Sequence, residues 1–301
     1  MTRGQSNGEY ERARQFAVGG VFWRKSLDWA VVNVPFYFQP LMILFWSFFF
    51  FLLCRPARKT VARNLAFVRP NGCRLANYFR AFRIFHNFGW TMTETALHRI
   101  LKLSFSFELV DEELVNELGR ASCAIILTAH MGSYDLGAAA FAGRFRRAIR
   151  IVRAPERDQR SAQHVTLSLQ AEAVKVDYSG GALVSLDLLN ALRNGEIVSI
   201  QGDRVMQNVA SASANLFGAE VLLPSGAFTL SLIAGAPIYP VFILRAGFRS
   251  YKVIVLPPIL CANGINSRKE ALAIGMQSWS EVLERSIEKY WPQWYAFGPI
   301  F

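Results

Sequence analysis

The chain has 301 residues, 52% of them hydrophobic, and 33 Lys and Arg against 22 Asp and Glu leave a formal charge of +11. That much apolar material is enough to bury a full core in one large domain or two small ones, which excludes disorder as the main state. The basic surplus directs attention to anionic partners: nucleic acid, phospholipid headgroups or acidic carrier proteins. The four cysteines, Cys54, Cys73, Cys123 and Cys261, are widely spaced and form no Cys-x-x-Cys pair, so they read as reduced core thiols.

No charged residue occurs from Trp29 to Cys54, and the stretch from Pro40 onwards is dominated by Phe, Leu and Trp. As one helix it would reach about 39 Å, enough to cross a hydrocarbon layer of about 30 Å. Pro35 and Pro40 interrupt it, so the unbroken part is equally suited to lie in the membrane interface as a monotopic anchor. The run ends in Arg55-Pro-Ala-Arg-Lys59 rather than in a small-residue cleavage site, which argues against a cleaved leader. Between Arg55 and Thr93 there are eight basic residues and no acid, interleaved with aromatics at roughly helical spacing. Beside an apolar anchor, such a block suits anionic lipid on a cytoplasmic face better than nucleic acid, which is not expected as a partner.

Further along, helical and strand patterns alternate. Helices are expected over Asp111 to Glu117, Asp158 to Ala173, Leu183 to Arg193, Ala227 to Ala234 and Arg268 to Tyr290. Strands are expected over Cys123 to Thr128, Ile149 to Arg153, Ile197 to Gln201, Ile238 to Leu244 and Tyr251 to Leu256. Strands separated by helices predict an α/β fold with a mainly parallel mixed sheet flanked by helices, behind an N-terminal hydrophobic anchoring helix. The organisation expected is a basic leader (1–28), the apolar anchor (29–54), a basic, aromatic helical segment (55–110) and a catalytic α/β core (111–301) packed with that segment.

Active sites of such sheets collect at the carboxyl ends of strands. Cys123-Ala-Ile-Ile-Leu-Thr-Ala-His130 delivers a histidine from an apolar run, and Met131-Gly-Ser-Tyr-Asp135 turns the chain into a helix of small residues. His130 and Asp135 are about 140° apart on an ideal helix and meet only if the chain bends between them, which Gly132 permits. A carboxylate on one imidazole nitrogen fixes the tautomer and makes the other nitrogen a base for a hydroxyl proton. Taken alone, the pair is equally an ordinary structural hydrogen bond. His86, His98 and His164 sit in helical contexts and are assigned no chemistry.

Ala129-His130-Met-Gly-Ser-Tyr-Asp135 resembles the His-x-x-x-x-Asp/Glu motif of the glycerolipid acyltransferase superfamily. The chain is most similar to the late acyltransferases of lipid A biosynthesis, the bacterial lysophospholipid acyltransferase-like proteins and the phosphatidylinositol mannoside acyltransferases. The resemblance is carried by Arg63-Asn-Leu-Ala66, Arg150-Ile-Val-Arg-Ala-Pro-Glu-Arg157, Ile200-Gln-Gly-Asp-Arg204 and Phe217-Gly218. It extends through Pro224-Ser-Gly-Ala-Phe-Thr, Gly235-Ala-Pro-Ile-Tyr-Pro-Val-Phe242 and Trp291-Pro-Gln-Trp-Tyr-Ala-Phe297. It implies transfer of a fatty acyl group from an acyl carrier protein or coenzyme A thioester to a lipid-borne hydroxyl, at the bacterial inner membrane on its cytoplasmic face. His130 would be the base and Asp135 its orienting carboxylate; Gly132, Ser133, Arg153, Arg157, Asp203 and Arg204 would contact substrate. The thioester is already activated, so neither metal nor organic cofactor is expected. The chain ends Ala296-Phe-Gly-Pro-Ile-Phe301, without the arginine that often follows the Trp in lipid A enzymes. The acceptor therefore stays open between lipid A-like, glycolipid and lysophospholipid molecules. The cluster Arg144, Arg146, Arg147, Arg150, Arg153, Arg157 and Arg160 suits an acidic carrier or the phosphates of coenzyme A. Two other readings compete: a metal-dependent hydrolase with His130, Asp135 and Asp203 as ligands, and a catalytically silent membrane scaffold of the same fold.

Overall fold

A computed structural model describes residues 21–154, 174–179, 183–206, 209–261 and 267–301. The helix expected over 158–173, with Arg157, Arg160 and His164, lies outside these residues. The chain divides into two compact units, residues 1–105 with 287–301, and residues 106–286.

The described part of the first unit is helical. Helix α1 (Val21–Asn33) stops just before Pro35, and α2 (Gln39–Leu53) begins with Pro40 in its first turn. Both placements follow from chemistry: proline cannot continue a helix but suits its start, where the missing N–H has no partner to lose. Helix α3 (Arg55–Val68) uses Pro56 the same way, and it leaves α2 at a 92° bend. No single helix among the described residues is long and apolar enough to cross a membrane, although α2 and α3 pass that test as a bent pair. The apolar stretch is thus broken at the first proline, and α2 alone rises only about 22 Å.

Helix α4 (Arg74–Leu101) is capped by Cys73, whose Sγ accepts from the Ala76 N–H at 3.4 Å, and ends at Lys102 in the left-handed region. Its residues Ala81, Ile84 and Phe85 pack with Cys54, Val61, Leu65 and Tyr295 in one apolar cluster. Asn64 of α3 is the polar centre of this unit. Only 1% exposed, it donates to the carbonyls of Ala296 (3.1 Å) and Gly298 (2.9 Å) and accepts from the Ile300 N–H at 3.4 Å. All four cysteines are free; Cys54 is buried, whereas Cys73 is exposed and spends its sulfur on the helix cap.

The second unit is the expected α/β fold. Its elements are β1 (Ser106–Leu109), α5 (Glu112–Arg120), β2 (Ala124–Thr128), α6 (Tyr134–Phe145), β3 (Ile149–Arg153), β4 (Val174–Tyr178), α7 (Val184–Arg193) and β5 (Ile197–Gln201). The hairpin β6 (Ser211–Leu216) and β7 (Ala219–Pro224) follows, then α8 (Gly226–Ala234), β8 (Ile238–Gly247), β9 (Ser250–Val255) and α9 (Arg268–Tyr290), whose residues from Ile287 onwards are counted with the first unit. The seven-stranded sheet has the order β1-β9-β8-β2-β5-β3-β4, and every neighbouring pair is parallel except β8 and β9. Central parallel strands are covered on both faces, which is why β2 reads Ala-Ile-Ile-Leu-Thr with all five residues buried. The Phe217-Gly218 element is the tip of the separate hairpin, with both residues at positive φ (52° and 74°), as a two-residue turn of this twist requires.

Arg147 closes the opposite, amino-terminal end of the sheet. Its guanidinium donates to the carbonyls of Gly119, Ala121, Ser122 and Gly195 at 2.5–3.1 Å. These carbonyls belong to the last turn of α5 or to the turns that lead from α5 into β2 and from α7 into β5, so one cation reaches backbone groups at two chain turns.

Candidate active site

Three adjacent strands, β2, β5 and β3, end on the same edge of the sheet, and each delivers charged residues there. His130 comes two residues after β2, Asp203 and Arg204 come after β5, and Arg153 is the last residue of β3. The parallel order explains the convergence, since neighbouring strands running in one direction place their carboxyl ends side by side.

Two glycines make the turns possible. Gly132 has φ of +62°, and a Cβ there would lie 1.8 Å from the Ile243 carbonyl oxygen. The close approach bridges the turn to β8, and the Ser133 N–H donates to that same carbonyl at 2.8 Å. Gly202 slips the chain between Leu127 and Trp279: its N–H donates to the Thr128 carbonyl at 2.8 Å, and its carbonyl accepts from Trp279 Nε1 at 2.9 Å. Asp203, the next residue, is thereby held with no exposed surface.

His130 Nδ1 lies 2.6 Å from Asp203 Oδ1. The carboxylate therefore accepts the Nδ1–H and leaves Nε2 as the basic nitrogen. The bend at Gly132 exists, but it does not bring Asp135 to His130. Asp135 falls in the first turn of α6, and Arg153 Nη1 donates to its Oδ1 at 2.7 Å. The expected pairing within the five-residue spacing is replaced by two pairs across the sheet, because the bend feeds directly into a helix whose first turn meets the end of β3.

Burial is the largest influence on His130 and holds its proton affinity below the ordinary histidine range. The charge of Arg204 acts in the same direction, Asp203 opposes both, and Arg153 adds a smaller downward push. The imidazole is accordingly neutral at physiological pH, the form a general base needs.

Arg204 makes no ion pair among the described residues, and its Nε is buried without a hydrogen-bond partner. Nε2 of Gln201 is a second buried donor of this kind at the end of β5. Buried unpartnered donors are uncommon and cluster where a ligand supplies the acceptor. Tyr134 completes the cluster, with its ring 5.6 Å from the Arg153 guanidinium carbon. Burial, ahead of the opposing charge of Arg153, raises the Tyr134 hydroxyl above its usual range.

Of the residues expected at the site, His130, Asp135, Arg153, Asp203 and Arg204 come together. Gly132 and Ser133 form its turn, with Ser133 buried. Tyr134 and Gln201 are additions; their only signal in the sequence is adjacency to the motif and to the end of a strand. The arginine cluster proposed for an anionic donor is largely consumed within the fold. Arg144 pairs with Glu112 and Asn116, Arg147 binds carbonyls, Arg150 pairs with Asp177 and Glu196, and Arg153 pairs with Asp135. Nor do His130, Asp135 and Asp203 gather around one point: among the described residues, no group of three or more His, Cys, Asp or Glu side chains could hold a metal ion.

A parallel α/β sheet with a carboxylate-held histidine and two buried, unpartnered donors, the Arg204 guanidinium and the Gln201 amide, at its carboxyl edge has the groups that proton-assisted transfer to or from a carbonyl requires. A family model described as bacterial lipid A biosynthesis acyltransferase matches residues 16–301, and the chain belongs to that family. It is thus an acyltransferase enzyme. No curated protein matches the chain.

Proposed function

We propose that the protein is a membrane-associated O-acyltransferase that moves a fatty acyl group from a thioester of acyl carrier protein or coenzyme A to a hydroxyl of a lipid acceptor. The acceptor is a lipid A-like, glycolipid or lysophospholipid molecule, and the protein works on the cytoplasmic face of the bacterial inner membrane. The observation that carries the reading is the His130–Asp203 pair of 2.6 Å at the sheet edge. His130 Nε2 takes the proton of the acceptor hydroxyl as its oxygen adds to the thioester carbonyl. The negative charge that forms on the carbonyl oxygen is received by Arg204 and the Gln201 amide, the donors left without partners. The carbon–sulfur bond then breaks, and the thiolate leaves with the proton from His130. No step needs a metal or an organic cofactor.

Association with the membrane is supported by an inverted helix. In α2 the polar residues Gln39 and Ser47 are buried, while Leu41, Phe45, Phe48 and Leu53 are each more than half exposed. A water-facing helix shows the reverse pattern. Basic residues follow at once in Arg55, Arg58 and Lys59, placed to meet anionic headgroups. This arrangement favours a monotopic anchor lying in the interface.

The test is mass spectrometry of total membrane lipids from bacterial cells expressing the wild type or His130→Ala at equal levels. A lipid heavier by one acyl chain in the wild type alone is expected, and its mass identifies the acceptor. An equal product from His130→Ala would overturn the assignment of the base.

A further inference from the structure

We infer that the lipid-contacting surface of the first unit is built from two helices, the first turns of α4 inserting Leu75 and Phe79 into an anionic bilayer beside the exposed face of α2. The inference deepens the membrane association proposed above and rests on it. It adds a second insertion element, in a helix that lies outside the charge-free stretch.

Ser47 and Ile43 of α2 pack on Gly89 of α4, where a Cβ would lie 2.7 Å from Ser47 Oγ. Further along α2, the Phe51 ring meets those of Phe82 and Phe85. The helices therefore run antiparallel, and from Phe82 back to Arg74 helix α4 extends about 12 Å past this contact. On that length Leu75, Phe79 and Arg83 follow at intervals of four residues and share one face. Leu75 and Phe79 are 65% and 69% exposed, whereas Asn77, Ala81 and Ile84 of the other face are buried. Water outside a helix calls for the reverse, polar residues out and apolar residues in. Phe82 joins this stripe to α2, since its ring lies 6.2 Å from that of Phe48, which belongs to the exposed face of α2. The two apolar stripes thus abut. Apolar side chains exposed singly need no explanation, but a contiguous patch edged by polar groups marks a contact surface.

Charge selects the occupant. The Arg58 guanidinium lies over the rings of Phe51 and Tyr78, at 5.1 and 5.8 Å, and that of Arg83 lies over Trp291 at 5.6 Å. Cations therefore sit at the margin of the aromatic surface, with their apolar stems available to follow it. No acidic residue occurs from Arg55 to Thr93 to neutralise them. A second copy of the chain would set these cations against their equals, whereas anionic headgroups above an apolar layer match both parts of the surface.

The test is cosedimentation of the full chain with vesicles of phosphatidylglycerol and phosphatidylethanolamine. Leu75→Gln with Phe79→Gln should weaken binding by about 10²-fold at an unchanged melting temperature. Glutamine is uncharged and a good helix former, so the loss reads apolar contact alone. Combined with Phe45→Glu and Phe48→Glu on α2, the losses should multiply, because different side chains enter the lipid. If the double Gln variant does not fold, Leu75→Gln and Phe79→Gln decide singly, each expected to lose about tenfold. Replacing phosphatidylglycerol by phosphatidylcholine should weaken the wild type, and equal binding to both would overturn the choice of an anionic surface. Unchanged binding of the Gln variants, or a combined variant no weaker than the α2 pair, would overturn the inference and leave α2 as the whole anchor. Unchanged vesicle binding together with conversion of a dimer to a monomer, read by sedimentation velocity, would overturn it in favour of a second copy. A wild type that stays in the supernatant would overturn the membrane reading itself, and the inference with it.

Discussion

His130 shows how one largely covered side chain ties stability to pH and, as the proposed base, activity as well. Burial and the Arg204 charge depress its proton affinity in the folded protein, so the unfolded chain binds the proton more readily. The stability contribution is therefore complete above the unfolded value of about 6.5 and is lost as pH falls through the lower folded value. The same shift places the acid limb of kcat/KM below pH about 6.5, which a pH–rate profile on the wild type checks. Gly202 controls the partner of that histidine. A methyl group there would lie 2.7 Å from Leu127 Cδ1 and 3.0 Å from Trp279 Nε1, both in buried side chains, and the chain must shift at the residue before Asp203. Gly202→Ala is expected to cut turnover by about 10²-fold and to lower the melting temperature, measured by lipid product and thermal unfolding.

At the scale of elements, helix α3 and the last six residues are joined through Asn64. Its amide satisfies two backbone carbonyls and one backbone N–H that are otherwise left without these partners. Asn64→Ala should cost on the order of 1–3 kcal/mol, read by denaturant unfolding, and should open residues 296–301 to carboxypeptidase. Asn64 belongs to one of the segments that carry the family resemblance, yet its neighbours in sequence say nothing about the terminus more than 230 residues away. The strands show the same division. Those from Ile149 to Arg153 and from Ile197 to Gln201 are legible in the sequence because β-branched Ile and Val recur in short runs. Strand β4 (Val174–Tyr178), with Lys175 and Asp177 in an edge position, and the β6–β7 hairpin, rich in Ser, Ala and Asn, carry no such run and were not expected.

At the scale of the whole molecule, the membrane association proposed above would join the surplus of positive charge to the exposed apolar face of α2. On that proposal, apolar insertion would supply most of the binding and the basic residues would select anionic headgroups. Phe45→Glu with Phe48→Glu should weaken cosedimentation with anionic phospholipid vesicles by about 10²-fold. The melting temperature should stay the same, because the two rings are 62% and 52% exposed.

Periodicity, prolines and strand-end punctuation are local properties, so the sequence by itself determined the α/β class, the break in the apolar stretch and the delivery of His130 at the end of a buried strand. The choice of its carboxylate was not local. Asp135 is five residues away and Asp203 is 73 residues away. Only the parallel alignment of β2 with β5 and the turn at Gly202 bring the distant one to Nδ1, while the start of α6 carries the near one to Arg153. Partner choice among charged groups depends on which strand ends lie side by side, and that is settled by the register of the sheet.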